Sequence, residues 1–266
     1  MFTTNPFSIL AETVLPIALQ SFVIVMVALV IIGTLVDIIH KKNVKYFFEN
    51  AKKAKLSATK TLSAGEKISV ISKTIVSDIA TTSELGAGKR RVAHLLGMYG
   101  TILFWIGSAI MIFCYSSPSS DTPSFWPIIW HVGAIMTVVG GSWFWFFLRV
   151  DVYSEAHPWY RIIKADLFVL ALIASSLFGL IWSCLQSLDL NDRWDDKVFL
   201  VLYIISNLAL FGGVYWSKFA HMFYKPGASI QKNLAEADGS RDNLPPPANA
   251  PEQYGLGIDR EKAKHY

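Results

Sequence analysis

The chain has 266 residues, of which 53% are hydrophobic, 14% aromatic and only 17% charged; the mean hydropathy is +0.39 and the formal net charge +4. Soluble domains carry nearer a quarter charged residues. The apolar residues fall in long blocks, which excludes a disordered chain. Two cysteines are too few for a disulfide-stapled secreted domain, and +4 on so apolar a chain is no basic stripe for nucleic acid. The class expected is an all-α integral membrane protein, with the lipid bilayer as its first partner.

A helix needs about 20 mostly apolar residues to cross the hydrocarbon core. Five segments qualify, which predicts a five-transmembrane-helix bundle. The first runs from Ile9 to Ile39 with Phe22 to Val36 at its heart, the second from Val92 to Tyr115 and the third from Pro127 to Leu148. The fourth covers Leu167 to Leu185 and the fifth Val198 to Tyr224. Their interiors hold only neutral polar groups, such as Asn207 and the Ser175–Ser176 pair, while Glu12, Asp37 and Lys218 lie toward the ends. The N-terminal stretch shows neither the basic region nor the small-residue cleavage site of a secretory signal, so the first segment is expected to remain as a span.

The lysines and arginines set the orientation. Between Lys41 and Arg91 there are 12 basic residues against four acidic, and Arg149, Arg161 and Lys164 lie between the third and fourth spans. The connections on the other side, Ser116 to Phe125 and Gln186 to Lys197, carry no basic residue and two against four aspartates respectively. The N-terminus is therefore expected outside and the C-terminus in the cytoplasm. The chain divides as 1–40, a first transmembrane helix with a short outer N-terminus; 41–91, a basic cytoplasmic insert; 92–224, a four-helix membrane core; and 225–266, an extended cytoplasmic tail.

Within the insert, Ile68, Ile71, Ile75 and Ile79 recur at helical spacing over Gly65 to Ala80, on a segment suited to the membrane surface or to a soluble partner. The tail holds Pro245-Pro246-Pro247 and many charges and reads as an arm that orders on a partner. Cys114 and Cys184 end the second and fourth spans on the outer side; an external disulfide and two separately packed thiols are both compatible with that placement.

Six histidines are present. His40, beside Lys41 and Lys42, and His265, in the tail, read as solvated, and His157 sits in the turn before Pro158. His94, His131 and His221 lie in or at the ends of spans, where an ionisable residue points to function. His94 and His221 fall at one depth, near the cytoplasmic ends of spans two and five. Bis-histidine ligation of a b-type haem needs two such imidazoles facing each other between helices. Gly97 and Thr101 follow His94 on its face, and Gly213 and Ser217 precede His221; small residues there leave room for a porphyrin. Arg91, Lys218 and the neighbouring cations suit haem propionates. Interfacial histidines also anchor helices among headgroups, and that reading stands beside the first. His131, next to Trp130 near the outer end of span three, has no second histidine at its depth; it is a belt residue or a ligand of a second haem.

The stretch GKRRVAHLLGMYGTILFWIG, residues 88–107, resembles the second span of the cytochrome b subunits related to the nitrate reductase gamma subunit. That group includes the membrane subunits of heterodisulfide reductase, of sulfite-reductase-associated and quinone-interacting oxidoreductase complexes, and the adenylylsulfate reductase membrane anchor. The matching features are Arg91, His94 and the Tyr99-Gly100 pair. The ending VYWSKFAHMFYKP, residues 214–226, is similar to the group's fifth-span terminus through Tyr215 or Trp216, Ser217, Lys218 and His221. The resemblance covers about residues 20 to 226.

The resemblance implies a membrane-anchoring cytochrome of a respiratory redox complex in the plasma membrane of a prokaryote, inactive as an enzyme alone. It would pass electrons between the quinone pool and a cytoplasmic iron–sulfur or flavin subunit, with His94 and His221 as the ligands of haem b. Two-haem members carry further histidines where this chain has Phe104, Ser108 or Tyr115 and Tyr203 or Asn207. One haem is therefore preferred and two possible, with His131 the spare ligand. The chain has no cysteine cluster for iron–sulfur ligation, so that partner is a separate subunit. Lys218, Tyr99 and Tyr224 are the groups nearest a quinone carbonyl, or else a snorkelling lysine and interfacial tyrosines. A haem-free anchor or assembly subunit is the competing reading. A transporter is weaker, since Gly140-Gly141 and Gly212-Gly213 are the only paired breaks and no acidic residue lies mid-membrane.

Overall fold

A computed structural model describes residues 2–86, 88–149, 157–188 and 193–240, and the pairs 253–254 and 258–259. The chain forms two compact units: residues 1–40 with 92–220, and 41–91 with 221–266. Both are helical; among the described residues the only strand pairing is a two-residue antiparallel ladder, Gln253–Tyr254 with Ile258–Asp259.

The first unit opens with a short helix, α1 (Pro6–Leu10). The Asn5 side-chain oxygen caps it by accepting from the Phe7 and Ser8 amides at 3.0 and 3.4 Å. Asn5 Nδ2 donates to the Tyr115 carbonyl and to Thr122 Oγ1, tying the N-terminal segment to the end of the second apolar stretch. Phe7 is buried edge-on against Trp130 and Trp182. The long helices follow: α2 (Pro16–Lys41) in this unit, then, after the segment that forms the second unit, α5 (Lys89–Cys114), α6 (Phe125–Trp143) with a π-helical turn to Leu148, α7 (Leu167–Ser187) and α8 (Trp194–Gly212). Among the described residues four stretches are long and apolar enough to cross a membrane: Pro16–Lys41, Lys89–Cys114, Phe125–Leu148 and Lys164–Ser187.

What faces outward on these helices is apolar. Ile24, Ile31 and Ile32 of α2, Ile102 and Ile106 of α5, Val139 of α6 and Val201 and Ile205 of α8 are all exposed. In water such a surface would associate; in hydrocarbon it has no cost. The chain is a multi-pass membrane protein.

The interior is aromatic and glycine-lined. Trp130, Trp182, Phe104, Met111 and Tyr203 form the core, with Trp182 stacked on Tyr203 at 5.8 Å and 16°. α5 and α6 cross at backbone contact. A Cβ on Gly100 would lie 2.6 Å from the Thr137 amide, one on Gly133 2.5 Å from the Phe104 amide, and one on Gly140 2.6 Å from the Gly97 amide. Two polar pairs bridge helices inside the bundle, where burial in hydrocarbon favours such pairing. Trp130 Nε1 donates to Ser108 Oγ at 2.8 Å, and Ser175 Oγ donates to Asn207 Oδ1 at 3.1 Å across the α7–α8 contact.

Three boundaries differ from the sequence expectation. The first stretch is not one helix from Ile9: α1 ends at Leu10 and α2 starts at Pro16. The fifth apolar stretch does not run as one helix to Tyr224: α8 ends at Gly212, and residues 213–220 form turns in which the Trp216 and Ser217 amides donate to the Gly213 carbonyl. Paired glycines lower helix stability by about 1 kcal/mol each. Buried Val214 and Phe219 then hold the turn against the bundle. Nor is the segment after residue 225 extended throughout, because a helix spans His221–Ala237.

That helix, α9, belongs to the second unit together with α3 (Asn43–Leu56), α4 (Ala64–Thr74), a π-helical turn Ile75–Ala80 and a 3-10 turn Ser83–Leu85. A capping box starts α4: the Ser63 amide donates to Glu66 and the Glu66 amide to Ser63 Oγ. Of the isoleucine stripe read from the sequence, Ile68 and Ile75 are exposed and Ile71 and Ile79 half-buried, while Thr74 is buried. α9 docks on α4 through polar contacts. Asn233 Nδ2 reaches Thr74 Oγ1 at 2.8 Å and Asp78 at 2.7 Å, and Ser229 donates to Glu84 at 2.8 Å.

Candidate functional site

The first turn of α5 carries Arg91 and the next His94. Arg91 Nε donates to the Thr81 carbonyl at 2.7 Å, so this cation is already fastened to the turn before the helix. The His94 side chain is exposed. One turn on, a Cβ at Gly97 would meet nothing within 4 Å, so the α5 surface is open there. Thr101 folds back on the same helix, donating to the Gly97 carbonyl at 2.7 Å.

The second half of the expected ligand pair is His221, in the other unit. His221 is the first residue of α9 and exposed, and it belongs to the second unit, whereas His94 belongs to the first. Lys218 is an exposed residue of the turn before it. Gly213 leaves no room for a flat ligand: Leu167 fills the space its Cβ would take, at 2.8 Å. The expectation that Gly213 makes space for a porphyrin is corrected by this contact; Gly97 keeps its open surface.

His131 is fully buried and bonded at both ring nitrogens. Nδ1 lies 2.7 Å from the Pro127 carbonyl, which can only accept, so Nδ1 carries the proton. Nε2 then accepts from Ser183 Oγ at 2.8 Å, linking α6 to α7. This arrangement leaves neither nitrogen open to iron, and the second-haem role is replaced by that of an interhelical bridge. Both cysteines are free thiols, which decides against the external disulfide. His40 packs edge-on against Tyr215, His157 is half-buried, and His265 lies outside the described residues. Tyr99 is exposed and Tyr224 half-buried. Among the described residues no group of three histidine, cysteine or acidic side chains is placed to hold a metal ion.

Two polar clusters were not visible in the sequence. Arg149, at the end of the π-helical turn after α6, is 4% exposed and Asp166, just before α7, 8%. Their Nη1–Oδ2 distance is 2.8 Å; Nη2 donates to the Arg161 carbonyl at 2.7 Å, and the guanidinium sits 4.0 Å above the Trp145 ring. The Ile163 amide donates to the same Asp166 oxygen. The other cluster is the α9 dock, where Lys225 and Lys232 lie 3.8 and 3.7 Å from Glu84.

Asp78 sits in that dock. The Ser83 hydroxyl holds its carboxyl below the usual 3.8; partial burial opposes the shift, and Asn233, Ser77 and the Lys232 charge add to it. A folded-state value below the unfolded one gives stability that is complete above about 3.8 and is lost as pH falls through the lower, folded value. Amide exchange over 229–237 is therefore expected to stay slow down to that range and to rise only below it. Loss of protection well above it would show that Asp78 does not govern the dock.

No family model, curated protein or solved structure matches this chain.

Proposed function

We propose that this chain is the membrane-anchoring subunit of a redox complex in a prokaryotic plasma membrane, linking the quinone pool to a cytoplasmic iron–sulfur or flavin subunit. The observation that carries the anchoring part is the docking of α9 on α4 and the Ile75–Ala80 turn. Segments that touch in this way lie on one side of the bilayer, so the chain between Arg91 and His221 crosses an even number of times. α5, α6 and α7 supply three crossings and α8 the fourth. Its 19 residues span about 28 Å at 1.5 Å each, close to the ~30 Å hydrocarbon core, with Asp195, Asp196 and Lys197 confined to its first turn. Together with α2 this supports a reading of five spans. The 12 basic residues of 41–91 support a cytoplasmic side for that segment.

For the haem, the residues present fit at α5: His94 is exposed and Gly97 leaves the adjoining surface open. In this reading His94 and His221 would hold haem b, a one-electron carrier when bound. Arg91 keeps the α5 terminus fixed to Thr81 and, with Lys218, provides cations for the propionates. The bundle excludes water from the electron path through its aromatic core. A haem-free anchor is the second reading. It is favoured by the closed Gly213 surface and by the fully bonded His131.

Both readings require a partner on the side of the second unit. Affinity purification of the full chain from gently solubilised native membranes is expected to bring with it a soluble subunit in stoichiometric amount, bearing flavin or iron–sulfur absorbance and released by high salt. A chain that leaves the membrane without any such subunit would contradict the anchoring role.

A further inference from the structure

Helix α3 has a two-sided surface that the anchoring reading does not use. Val44, Phe47, Ala51 and Ala54 recur at three- and four-residue spacing and are half-buried, forming the side packed within the second unit. On the adjacent side Phe48 and Leu56 are 65% and 85% exposed. Lys45, Lys52 and Lys55 flank them at helical spacing. α3 as a whole has four lysines against the single acid Glu49, which lies 3.7 Å from Lys45. Large apolar groups so far exposed are unfavourable in water, and lysines beside them with long apolar stems suit a boundary between hydrocarbon and headgroups.

The chain's path selects the occupant. α2 ends at Lys41, and α3 begins at Asn43 after the single left-handed residue Lys42 (φ 54°). A helix that starts one residue beyond a membrane-crossing helix starts at the bilayer surface. We propose that α3 is an interfacial helix that seats Phe48 and Leu56 among the acyl-chain ends of the leaflet and binds anionic phospholipid headgroups through Lys45, Lys52 and Lys55. The cytoplasmic leaflet is the anionic one, and each lysine brought to such a surface favours the seated state about fivefold. This assignment does not depend on a haem, a quinone or a redox partner, and holds or fails separately from them.

The test uses the full chain with Cys114→Ser and Cys184→Ser, carrying a nitroxide spin label at Phe48→Cys or, on the other side of the helix, at Asn50→Cys. Each is reconstituted into vesicles of phosphatidylcholine alone and of phosphatidylcholine with phosphatidylglycerol. In the anionic vesicles the Phe48→Cys label is expected to be accessible to dissolved oxygen and shielded from an aqueous nickel chelate, while the Asn50→Cys label remains open to the chelate. Adding Lys45→Gln, Lys52→Gln and Lys55→Gln is expected to lower the seated-to-free ratio by about a hundredfold, returning the Phe48→Cys label to water. A label open to the chelate in both kinds of vesicle would overturn the proposal. So would a label shielded from both reagents irrespective of lipid charge, which would mean that protein covers this side.

Discussion

Arg149→Ala is expected to destabilise the membrane unit by about 3–5 kcal/mol, the usual cost of leaving one member of a buried ion pair without its partner. The loss is large because the guanidinium serves three neighbours at once: the Asp166 carboxylate, the Arg161 carbonyl and the Trp145 face. Its removal strands a carboxylate that is 8% exposed and whose remaining bond comes from the Ile163 amide. Asp166→Asn keeps the shape and the hydrogen-bonding capacity but not the charge, and is expected to cost less than Asp166→Ala. The paired replacement Arg149→Met with Asp166→Leu removes both charges and should regain much of the loss. Reversible unfolding in mixed detergent–SDS micelles, followed by tryptophan fluorescence, measures all four variants. If Arg149→Ala unfolds at the same SDS fraction as the parent, the pair contributes nothing and the 149–166 connection is held by other contacts.

The second large effect lies where α5 meets α6. Gly133→Ala places a methyl group 2.5 Å from the Phe104 amide and 2.7 Å from the Gly100 carbonyl. Both are backbone atoms that no rotamer change can move aside. The helices must separate, at a cost of about 1–3 kcal/mol or more for overpacking, with loss of the close contact that small residues provide in membranes. Gly97→Ala is the internal control. With nothing within 4 Å of the added methyl, the change is expected to be neutral or, through helix propensity, stabilising by up to about 1 kcal/mol. The same unfolding assay separates the two, and equal effects from both would remove the crossing from the explanation of these glycines.

The contrast between those glycines shows what was legible beforehand. Long apolar blocks located the helices, because length and hydropathy are properties of a segment by itself. Which glycine faces a backbone and which faces open space depends on the crossing of two helices, and Gly97, Gly100 and Gly133 look alike in the chain. Gly213 was misread for that reason, being closed by Leu167 of a different helix. His131 was read by depth alone, whereas Ser183, 52 residues away, completes its bonding. The end of the fifth stretch followed hydropathy through Val214 and Phe219, both truly buried, but in a turn made possible by Gly212-Gly213.

α9 was missed for a related reason. Pro226-Gly227 reads as a stop, yet the helix runs on through Pro226, its sixth residue and an interior position, with Ser229 and Asn233 finding partners 145 to 159 residues earlier. Arg149 and Asp166 each resemble an ordinary charge at the end of a span. Their burial appears only when Arg149 and Asp166 are brought together beside Trp145. A capping signal, an acidic residue directly before an apolar run, marks Asp166 without identifying what it binds.

The haem reading is tested most directly by a dithionite-reduced minus oxidised spectrum of the purified full chain, made in cells supplied with haem, with haem per chain quantified alongside. A b-type signal at about one haem per chain is expected, lost in His94→Ala and in His221→Ala and retained in His131→Gln. Absence of that signal from a well-folded preparation would contradict electron transfer through this chain and leave it as a haem-free anchor.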